Sequence, residues 1–329
     1  MAQTVNSAFQ NFNSNIVNLN SSRTETARTS RDWLFGQLNN LDTKDNIFFP
    51  KKFTKRHINF GSFARKTKIK ELDDIDLMFC LTSDNASYTT SINKDTYFIS
   101  TINAGTELQK LSDENVLNSI KVLNKFKISL SNISNYNSAN LHSKQEAVTL
   151  ALKSYEWVFD IVPCFYTDTE IYLIPDGNGN WKPTDPRIDQ NRVTDVNKAN
   201  SGKLLQLIRT LKYWNRHNST YNISSYLFEN LIINYVTSRQ NLVDWIDLDI
   251  SDFFLYLNTA IFNIVPDPKG IQGNLNIFSY SEQLAISQKS YWAYEKSQNA
   301  IKAETKQKDQ QLAINLWREI FGLNFPTFS

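Results

Sequence analysis

The sequence predicts an α+β protein in which a region with a mixed β-sheet precedes a region of helices. Short apolar runs, rich in branched and aromatic side chains, recur between residues 58 and 174 at the length of single strands. After residue 202 the apolar residues recur at helical spacings instead. The chain has 329 residues, and single hydrophobic cores stop growing at roughly 250 to 300 residues, so two domains are expected.

The elements of the first half follow in chain order. Residues 1–40 carry apolar side chains at near-helical spacings, which predicts two amphipathic helices with a polar break at about residues 21–24. The expected strands are the apolar runs at residues 58–60, 75–81, 148–152, 157–162 and 171–174. A helix at about residues 112–126 is expected to interrupt these strands.

Proline and glycine are concentrated just after the last expected strand. Two of the nine glycines and three of the eight prolines fall within residues 175–186, which indicates a domain boundary. The predicted helices beyond it cover residues 202–216, 224–237, 251–262 and 281–321. We therefore expect a sheet domain with N-terminal helices over residues 1–180 and a helical domain over residues 181–329.

Composition excludes several classes of protein. With 41% hydrophobic and 13% aromatic residues the chain is not intrinsically disordered as a whole. A net charge of +2 gives no general signal for binding polyanions. The two cysteines, Cys80 and Cys164, are too few for the disulfide framework of a secreted protein. Since the sequence shows neither a secretory leader nor a long apolar run, we expect a soluble cytoplasmic protein with no membrane partner.

Positive charge is concentrated around one glycine. Residues 51–70 contain eight basic residues and no acidic one, and residues 71–76 contain four acids and no base. Within the basic block, Gly61-Ser62 follows a short apolar run and precedes helix-forming residues. A glycine at such a turn lets backbone N–H groups approach a phosphate closely, and the Ser62 hydroxyl adds a donor. Because Gly-Ser turns are common, the pair alone is a weak signal.

Three aspartates strengthen that signal. Asp74 and Asp76 alternate with apolar residues at the head of a strand, so both carboxylates point to one face. Asp160 stands inside another apolar strand, where an unpaired carboxylate would be costly to bury. Carboxylate oxygens are the ligands that Mg²⁺ prefers, so the three acids are candidate metal ligands. The alternative for the first two is a solvated start of a strand.

Taken together, these residues resemble the signature of the polymerase-beta-like nucleotidyltransferase superfamily. Within it, five segments resemble the bacterial cGAS/DncV-like nucleotidyltransferases (CD-NTases), relatives of cyclic GMP-AMP synthase and oligoadenylate synthase. The segments read GSFARKT, DDIDLMF, FDIVPCF, WKPTDP and LIRTLKYWNRH. The likeness covers residues 60–233 and extends in weaker form over the chain.

The resemblance implies a bilobed enzyme with its site in a cleft between the catalytic domain and the helical domain. It implies that Asp74, Asp76 and Asp160 hold two Mg²⁺ ions, or Mn²⁺ in their place, and act in catalysis. Gly61 and Ser62 would bind the nucleotide. By the match to cyclic GMP-AMP synthase, the residues in the helical domain would be Lys212 and Ser225 on the phosphates and Tyr226 on a base. For each of these three, an ordinary structural role is the alternative.

Histidine and cysteine spacing bears on two other classes of site. His57, His142 and His217 have no Ser-His-Asp or Cys-His context, which disfavours a hydrolase. The same histidines and the two cysteines show no metal-ligand spacing, so a zinc ribbon for double-stranded DNA is not expected.

The predicted activity is synthesis of a cyclic di- or trinucleotide from NTPs (ATP, GTP, UTP or CTP). The family implies that the product acts on a separate effector protein in bacterial anti-phage (CBASS) defence. We expect the enzyme to be a monomer. Two alternatives remain. The same triad could transfer a nucleotide to RNA or to a protein, and a chain without turnover would be an inactive nucleotide-binding module.

Overall fold

The computed structural model describes residues 2–41, 48–136, 139–218, 221–239 and 241–329. The chain divides into two compact units. The sheet unit consists of Ser21–Arg65 and Leu72–Gln190. The helical unit consists of Met1–Asn20, Lys66–Glu71 and Asn191–Ser329.

The described residues of the sheet unit contain eleven strands in one mixed sheet. They are β1 Ile58–Phe60, β2 Asp74–Leu81, β3 Ser87–Thr90, β4 Tyr97–Ser100, β5 Ser112–Asp113, β6 Val116–Leu117, β7 Asn140–Lys144, β8 Ala147–Ala151, β9 Val158–Tyr166, β10 Tyr172–Pro175 and β11 Trp181–Thr184. The main path is β1-β2-β9-β10-β11-β4-β6-β5, with β3 beside β4 and β8 between β7 and β9. Strands β2 and β9 are parallel, whereas β1 runs antiparallel to β2 and β8 runs antiparallel to β9.

Eleven α-helices occur in the described residues. They are α1 Val5–Phe12, α2 Ser21–Asn39, α3 Gly61–Ala64, α4 Thr106–Gln109, α5 Ser119–Ser131, α6 Pro186–Ala199, α7 Leu204–Asn218, α8 Ser225–Thr237, α9 Ile246–Ala260, α10 Tyr280–Lys302 and α11 Gln310–Phe321. None of the helices in the described part of the chain is long and apolar enough to cross a membrane. The sheet and these helices confirm the predicted α+β class.

The expected helix at residues 112–126 begins later than its apolar spacing suggested. Strands β5 and β6 pair antiparallel over Ser112–Asp113 and Val116–Leu117, with Glu114 and Asn115 in left-handed backbone conformations between them. Helix α5 then starts after Asn118, whose side chain accepts hydrogen bonds from the amides of Ile120 and Lys121. A capping asparagine fixes a helix start more firmly than apolar periodicity does.

The segment rich in glycine and proline after residue 175 forms a turn inside the sheet unit. Pro175 pairs with Trp181 across the β10–β11 hairpin, and Gly177 and Gly179 supply the positive φ angles of its loop. Pro186 then opens α6, a helix position at which proline is favourable because its missing N–H would have no helical partner. The prolines and glycines of this segment therefore form the turn of a hairpin and the start of a helix.

The two units have separate cores. In the sheet unit Phe79 of β2 packs against Phe126 of α5 with ring centroids 5.6 Å apart, and both are fully buried. In the helical unit Phe9 of α1 packs edge-to-face on Trp317 of α11 at 5.0 Å. The N-terminal helix thus belongs to the core formed by the last helices of the chain.

The short segment Lys66–Glu71 is built into the helical unit although it joins α3 to β2 in sequence. Ile69 is 5% exposed and lies in the apolar core of that unit. The carbonyl of Lys66 accepts a hydrogen bond from Arg209 of α7 at 2.8 Å. The amide of Lys70 donates to the carbonyl of Val17 at 2.9 Å. Residues of the helical unit therefore fix the link between Gly61 and Asp74.

Candidate active site

The three aspartates singled out in the sequence lie on one face of two adjacent strands. Asp74 and Asp76 alternate with buried Ile75 and Leu77 along β2, so their side chains share a face. Asp76 is in direct register with Asp160 on the parallel strand β9. Neighbouring strands lie about 4.8 Å apart, which places the three carboxylates in one small patch of the sheet.

Gly61 lies directly against this patch. It has φ +73° and follows Phe60, which pairs with Asp76 across β1 and β2. A Cβ built on Gly61 would stand 1.7 Å from Oδ2 of Asp76, far inside contact distance. Glycine is therefore required for two independent reasons, the left-handed backbone and the space that Asp76 occupies. Ser62 follows Gly61 in the first turn of α3.

Thr149 holds Asp160 in place, and the sequence analysis did not identify it. The Thr149 hydroxyl donates a 2.6 Å hydrogen bond to Oδ1 of Asp160, and the two residues are register partners on β8 and β9. Thr149 is 8% exposed. The available signal was a single hydroxyl inside the apolar run Ala147–Ala151, but only the strand register pairs it with Asp160.

The donor set of the patch fits Mg²⁺, because three carboxylates on one face supply the hard oxygen ligands that this ion prefers. Among the described residues, however, no group of three or more His, Cys, Asp or Glu side chains is arranged to hold a metal ion. Asp160 instead accepts a hydrogen bond from Thr149, and the Asp76 carboxylate lies against Gly61. Metal binding would therefore require a rearrangement of these side chains.

The basic block is divided between the two units, since Lys66, Lys68 and Lys70 belong to the helical unit. Within the sheet unit, the ammonium of Lys51 pairs with Asp84 at 3.1 Å. Arg56 lies over the ring of Tyr166 at 4.0 Å from its centroid. Lys51 and Arg56 therefore serve local contacts within the sheet unit.

In the helical unit, Lys212 is buried and ion-paired. Its side chain is 7% exposed, and its ammonium donates to Oε1 of Glu229 at 2.9 Å. Thr67 donates to the same oxygen at 2.8 Å. Glu229 is itself only 3% exposed. The structure thus gives the Lys212 ammonium a protein carboxylate, where the family resemblance implies a phosphate of the nucleotide.

Ser225 and Tyr226 form the first turn of α8. Ser224 caps this helix through a hydrogen bond from the amide of Leu227, which leaves Ser225 exposed at the first helical position. Tyr226 is half-buried and donates from its hydroxyl to Oδ1 of Asp267 at 2.7 Å. The ammonium of Lys269 lies 4.3 Å from the centroid of the Tyr226 ring. Asp267 and Lys269 were not identified from the sequence.

Comparison with known proteins places the chain in a family. No protein-family model matches it. A probable cyclic nucleotide synthase of Bacillus cereus (strain VD146) is 45% identical over 336 residues, covering 99% of both chains. A cyclic AMP-AMP-AMP synthase of Acinetobacter sp. (strain ATCC 27244 / 9458) is 28% identical over 196 residues, covering 57% of this chain and 55% of that protein.

Solved structures show the same fold. The E. coli MS115-1 CdnC structure with ATP matches with a TM-score of 0.70 at 18% identity, covering 98% of each chain. CdnC in its complex with HORMA-deltaN matches with a TM-score of 0.70 at 19% identity, also over 98% of each chain. These relatives define the class, the nucleotidyltransferases. The chain belongs to their family of cyclic nucleotide synthases, the bacterial cGAS/DncV-like nucleotidyltransferases. The predicted family, fold class and enzyme class are confirmed.

Proposed function

We propose that the enzyme joins NTPs into a cyclic di- or trinucleotide, with release of pyrophosphate at each bond. The observation that carries this proposal is the patch formed by Asp74, Asp76 and Asp160 on two adjacent parallel strands, with Gly61 against it. The relative that is 45% identical over the whole chain supports the same reaction class. The Acinetobacter relative is a cyclic AMP-AMP-AMP synthase, and the E. coli CdnC structure contains ATP. We therefore propose ATP as one of the substrates.

Each residue of the patch has a proposed role. Asp74 and Asp76 would hold two Mg²⁺ ions. Asp160 would bind the ion on the side of the attacking ribose hydroxyl, and it would accept the proton of that hydroxyl. When bound, the ions supply charge stabilisation to the attacking and leaving oxygens of an in-line transfer. Thr149 orients Asp160, and the absence of a Cβ at Gly61 leaves room for the Asp76 carboxylate. In the other unit, we propose that the exposed Ser225 hydroxyl and the ring of Tyr226 bind the phosphates and base of a nucleotide.

We also propose that the product serves bacterial anti-phage (CBASS) signalling through a separate effector protein. The support is membership of the family. The HORMA complex of CdnC shows that one protein of this fold assembles with a protein partner.

The test is incubation of the protein with all four NTPs and Mg²⁺, followed by mass spectrometry of the small-molecule products. Wild type is expected to release pyrophosphate and give a phosphatase-resistant cyclic oligonucleotide. The double variant Asp74→Ala, Asp76→Ala is expected to give none, whereas Asp32→Ala, which removes an exposed carboxylate on α2, should match wild type.

Three outcomes would overturn the proposal. Product from the double aspartate variant would show that the patch is not the site. Nucleotide from the NTPs that is found attached to RNA or protein would show transfer to a macromolecule. Binding of NTPs without any turnover would show a silent nucleotide-binding module.

A further inference from the structure

The loop at residues 265–276, here called the Asp267 loop, is organised around one buried carboxylate. The side chain of Asp267 is 0% exposed. Its oxygens accept hydrogen bonds from the backbone amides of Lys269 at 3.3 Å, Ile271 at 3.2 Å and Gln272 at 3.0 Å. A carboxylate can be buried only when such donors compensate for lost water. The loop therefore folds tightly around Asp267.

Outside its loop, Asp267 accepts a hydrogen bond from the hydroxyl of Tyr226 at 2.7 Å. Burial alone would raise the pKa of Asp267, but the hydrogen bonds from Tyr226 and from the amide of Gln272, with the nearby charge of Lys269, hold it below its usual value. The carboxylate stays ionised and accepts a charge-assisted hydrogen bond from the phenol. The hydroxyl end of Tyr226 is thus fixed.

Lys269 fixes the same ring from one face. Its ammonium lies 4.3 Å from the ring centroid and 4.0 Å from Oδ1 of Asp267, and its side chain is only 9% exposed. A largely desolvated cation at this distance is attracted by the ring quadrupole. The phenol of Tyr226 is therefore held both at its hydroxyl and on one face, although Tyr226 itself is half-buried at the start of α8.

We propose that Asp267 and Lys269 are positioning residues that orient Tyr226 as the surface on which a nucleobase stacks. This inference rests on the proposed function, because it assigns the binding of a base to Tyr226. A ring held in this way loses little freedom when a base stacks on it. Asp267 and Lys269, here called the clamp, therefore contribute to affinity through the base. We expect the clamp to contribute nothing to the binding of the triphosphate.

The test compares two ligands by isothermal titration calorimetry in the presence of Mg²⁺, namely inorganic tripolyphosphate and ATP in the form of α,β-methylene-ATP, which cannot release pyrophosphate. In Lys269→Met and Asp267→Ala the affinity for ATP is expected to fall about tenfold, as it does when a stacking contact is weakened. The affinity for tripolyphosphate, which has no base, is expected to stay at the wild-type value. Tyr226→Phe keeps the ring and the amide bonds of Asp267, and it is expected to give a smaller loss for ATP only.

The matched control is Lys296→Met, which removes a lysine of the same unit whose ammonium pairs with Glu319 at 2.6 Å on the surface of the helices. It should bind both ligands as wild type does. A general loss of structure would instead lower the affinity for both ligands and would be visible as a lower thermal midpoint. Should Asp267→Ala fail to fold, Lys269→Met and Tyr226→Phe still decide the question because they leave the loop amides bonded.

The outcomes separate this inference from the proposed function. Unchanged ATP affinity in Lys269→Met and Tyr226→Phe overturns the clamp even if wild type makes the cyclic product. If these variants lose affinity for ATP alone, the clamp is supported. If wild type in addition makes no product, the synthase proposal is overturned while the clamp stands. Equal losses for ATP and tripolyphosphate overturn the role of the clamp in base binding.

Discussion

Oδ2 of Asp76 lies 1.7 Å from the point that a Cβ on residue 61 would occupy. The two residues are brought together by the pairing of β1 with β2, in which Phe60 stands opposite Asp76. A glycine on one element and a candidate metal ligand on another therefore depend on each other. The side chain that is missing at residue 61 is what lets the Asp76 carboxylate take its position.

Gly61→Ala and Gly61→Val are expected to abolish NTP binding, because the new Cβ displaces Asp76 and the backbone is strained at φ +73°. Calorimetry with Mg²⁺ and α,β-methylene-ATP, which cannot release pyrophosphate, measures this. The matched control is Gly36→Ala in α2, where a Cβ meets nothing within 4 Å. It should keep wild-type affinity and raise the free energy of unfolding by about 0.5–1 kcal/mol. Wild-type affinity in Gly61→Ala would show that the site lies elsewhere.

Thr149→Val is expected to lower kcat at least about tenfold, because it removes the hydroxyl that donates to Asp160 at 2.6 Å. KM for ATP should change little, since Thr149 orients a carboxylate rather than the substrate. Steady-state pyrophosphate release gives both constants. Thr149→Ser keeps the donor and is expected to retain most of the turnover. Equal kcat in the valine and serine variants would mean that this hydrogen bond has no part in catalysis.

Lys212→Met is expected to destabilise the protein by about 3–5 kcal/mol, because it removes one member of an ion pair whose two side chains are both buried. Urea unfolding measures the loss. The double variant Lys212→Met, Glu229→Gln removes both charges of the pair and should recover part of that stability. If Lys212→Met instead kept its stability and lost ATP affinity, the lysine would contact phosphate, as the family resemblance implies.

His57 is expected to make stability fall in acid. Burial, with a smaller contribution from the charge of Lys52, lowers the pKa of His57 from 6.5 to about 4. The ring stacks on Phe79 at 4.3 Å, and Nδ1 accepts from the amide of Cys80, so the neutral form is the one that fits. Because the pKa in the folded state is below that in the unfolded state, the stabilisation is complete above pH 6.5 and declines toward pH 4.

The expected size of this decline is about 2 kcal/mol, allowing for partial exposure of the ring to water. Unfolding in urea at several pH values measures it, with His57→Gln as the variant in which this component should disappear. A wild-type curve with the same pH dependence as His57→Gln would contradict the assignment.

Asp247→Asn is expected to stabilise the helical unit at neutral pH. Burial and the nearby charge of Glu304 raise the pKa of Asp247 to about 6. A pKa above that of the unfolded chain means that the charged form costs stability, and the cost is present at pH 7 and is relieved as the pH falls through 6. The variant should raise the free energy of unfolding by about 2 kcal/mol at pH 7 and by much less at pH 4. Asp195→Asn, at an exposed position on α6, is the control and should have no such effect.

Much of the patch could be predicted from the sequence because its pattern is local. The alternation of Asp74 and Asp76 and the Gly61-Ser62 turn are visible within sixteen residues, and Asp160 stands out as a charge inside an apolar run. The partners that hold these residues come from distant parts of the chain. Thr149 acts through strand register and Glu229 neutralises Lys212 across the helices, and neither pairing has a signature in sequence spacing.

The fold showed the same contrast between local and distant information. The spacing of apolar residues predicted α7 and α8 closely, since both helices carry many apolar side chains that become buried. It misplaced the start of α5 because a two-residue strand pair and a capping asparagine come first. Short strands of this kind are specified by their neighbours, which a single segment does not reveal.

The placement of Lys66–Glu71 and of the N-terminal helix in the helical unit has a consequence for how this protein could evolve. The chain passes from one unit to the other at residues 20, 65, 71 and 190. A recombination event with one junction at residue 190 would leave the later part without Phe9, Phe12 and Ile69, which lie in its core. An exchange of the helical unit between relatives would therefore have to carry residues 1–20 and 66–71 together with residues 191–329 to keep this core intact.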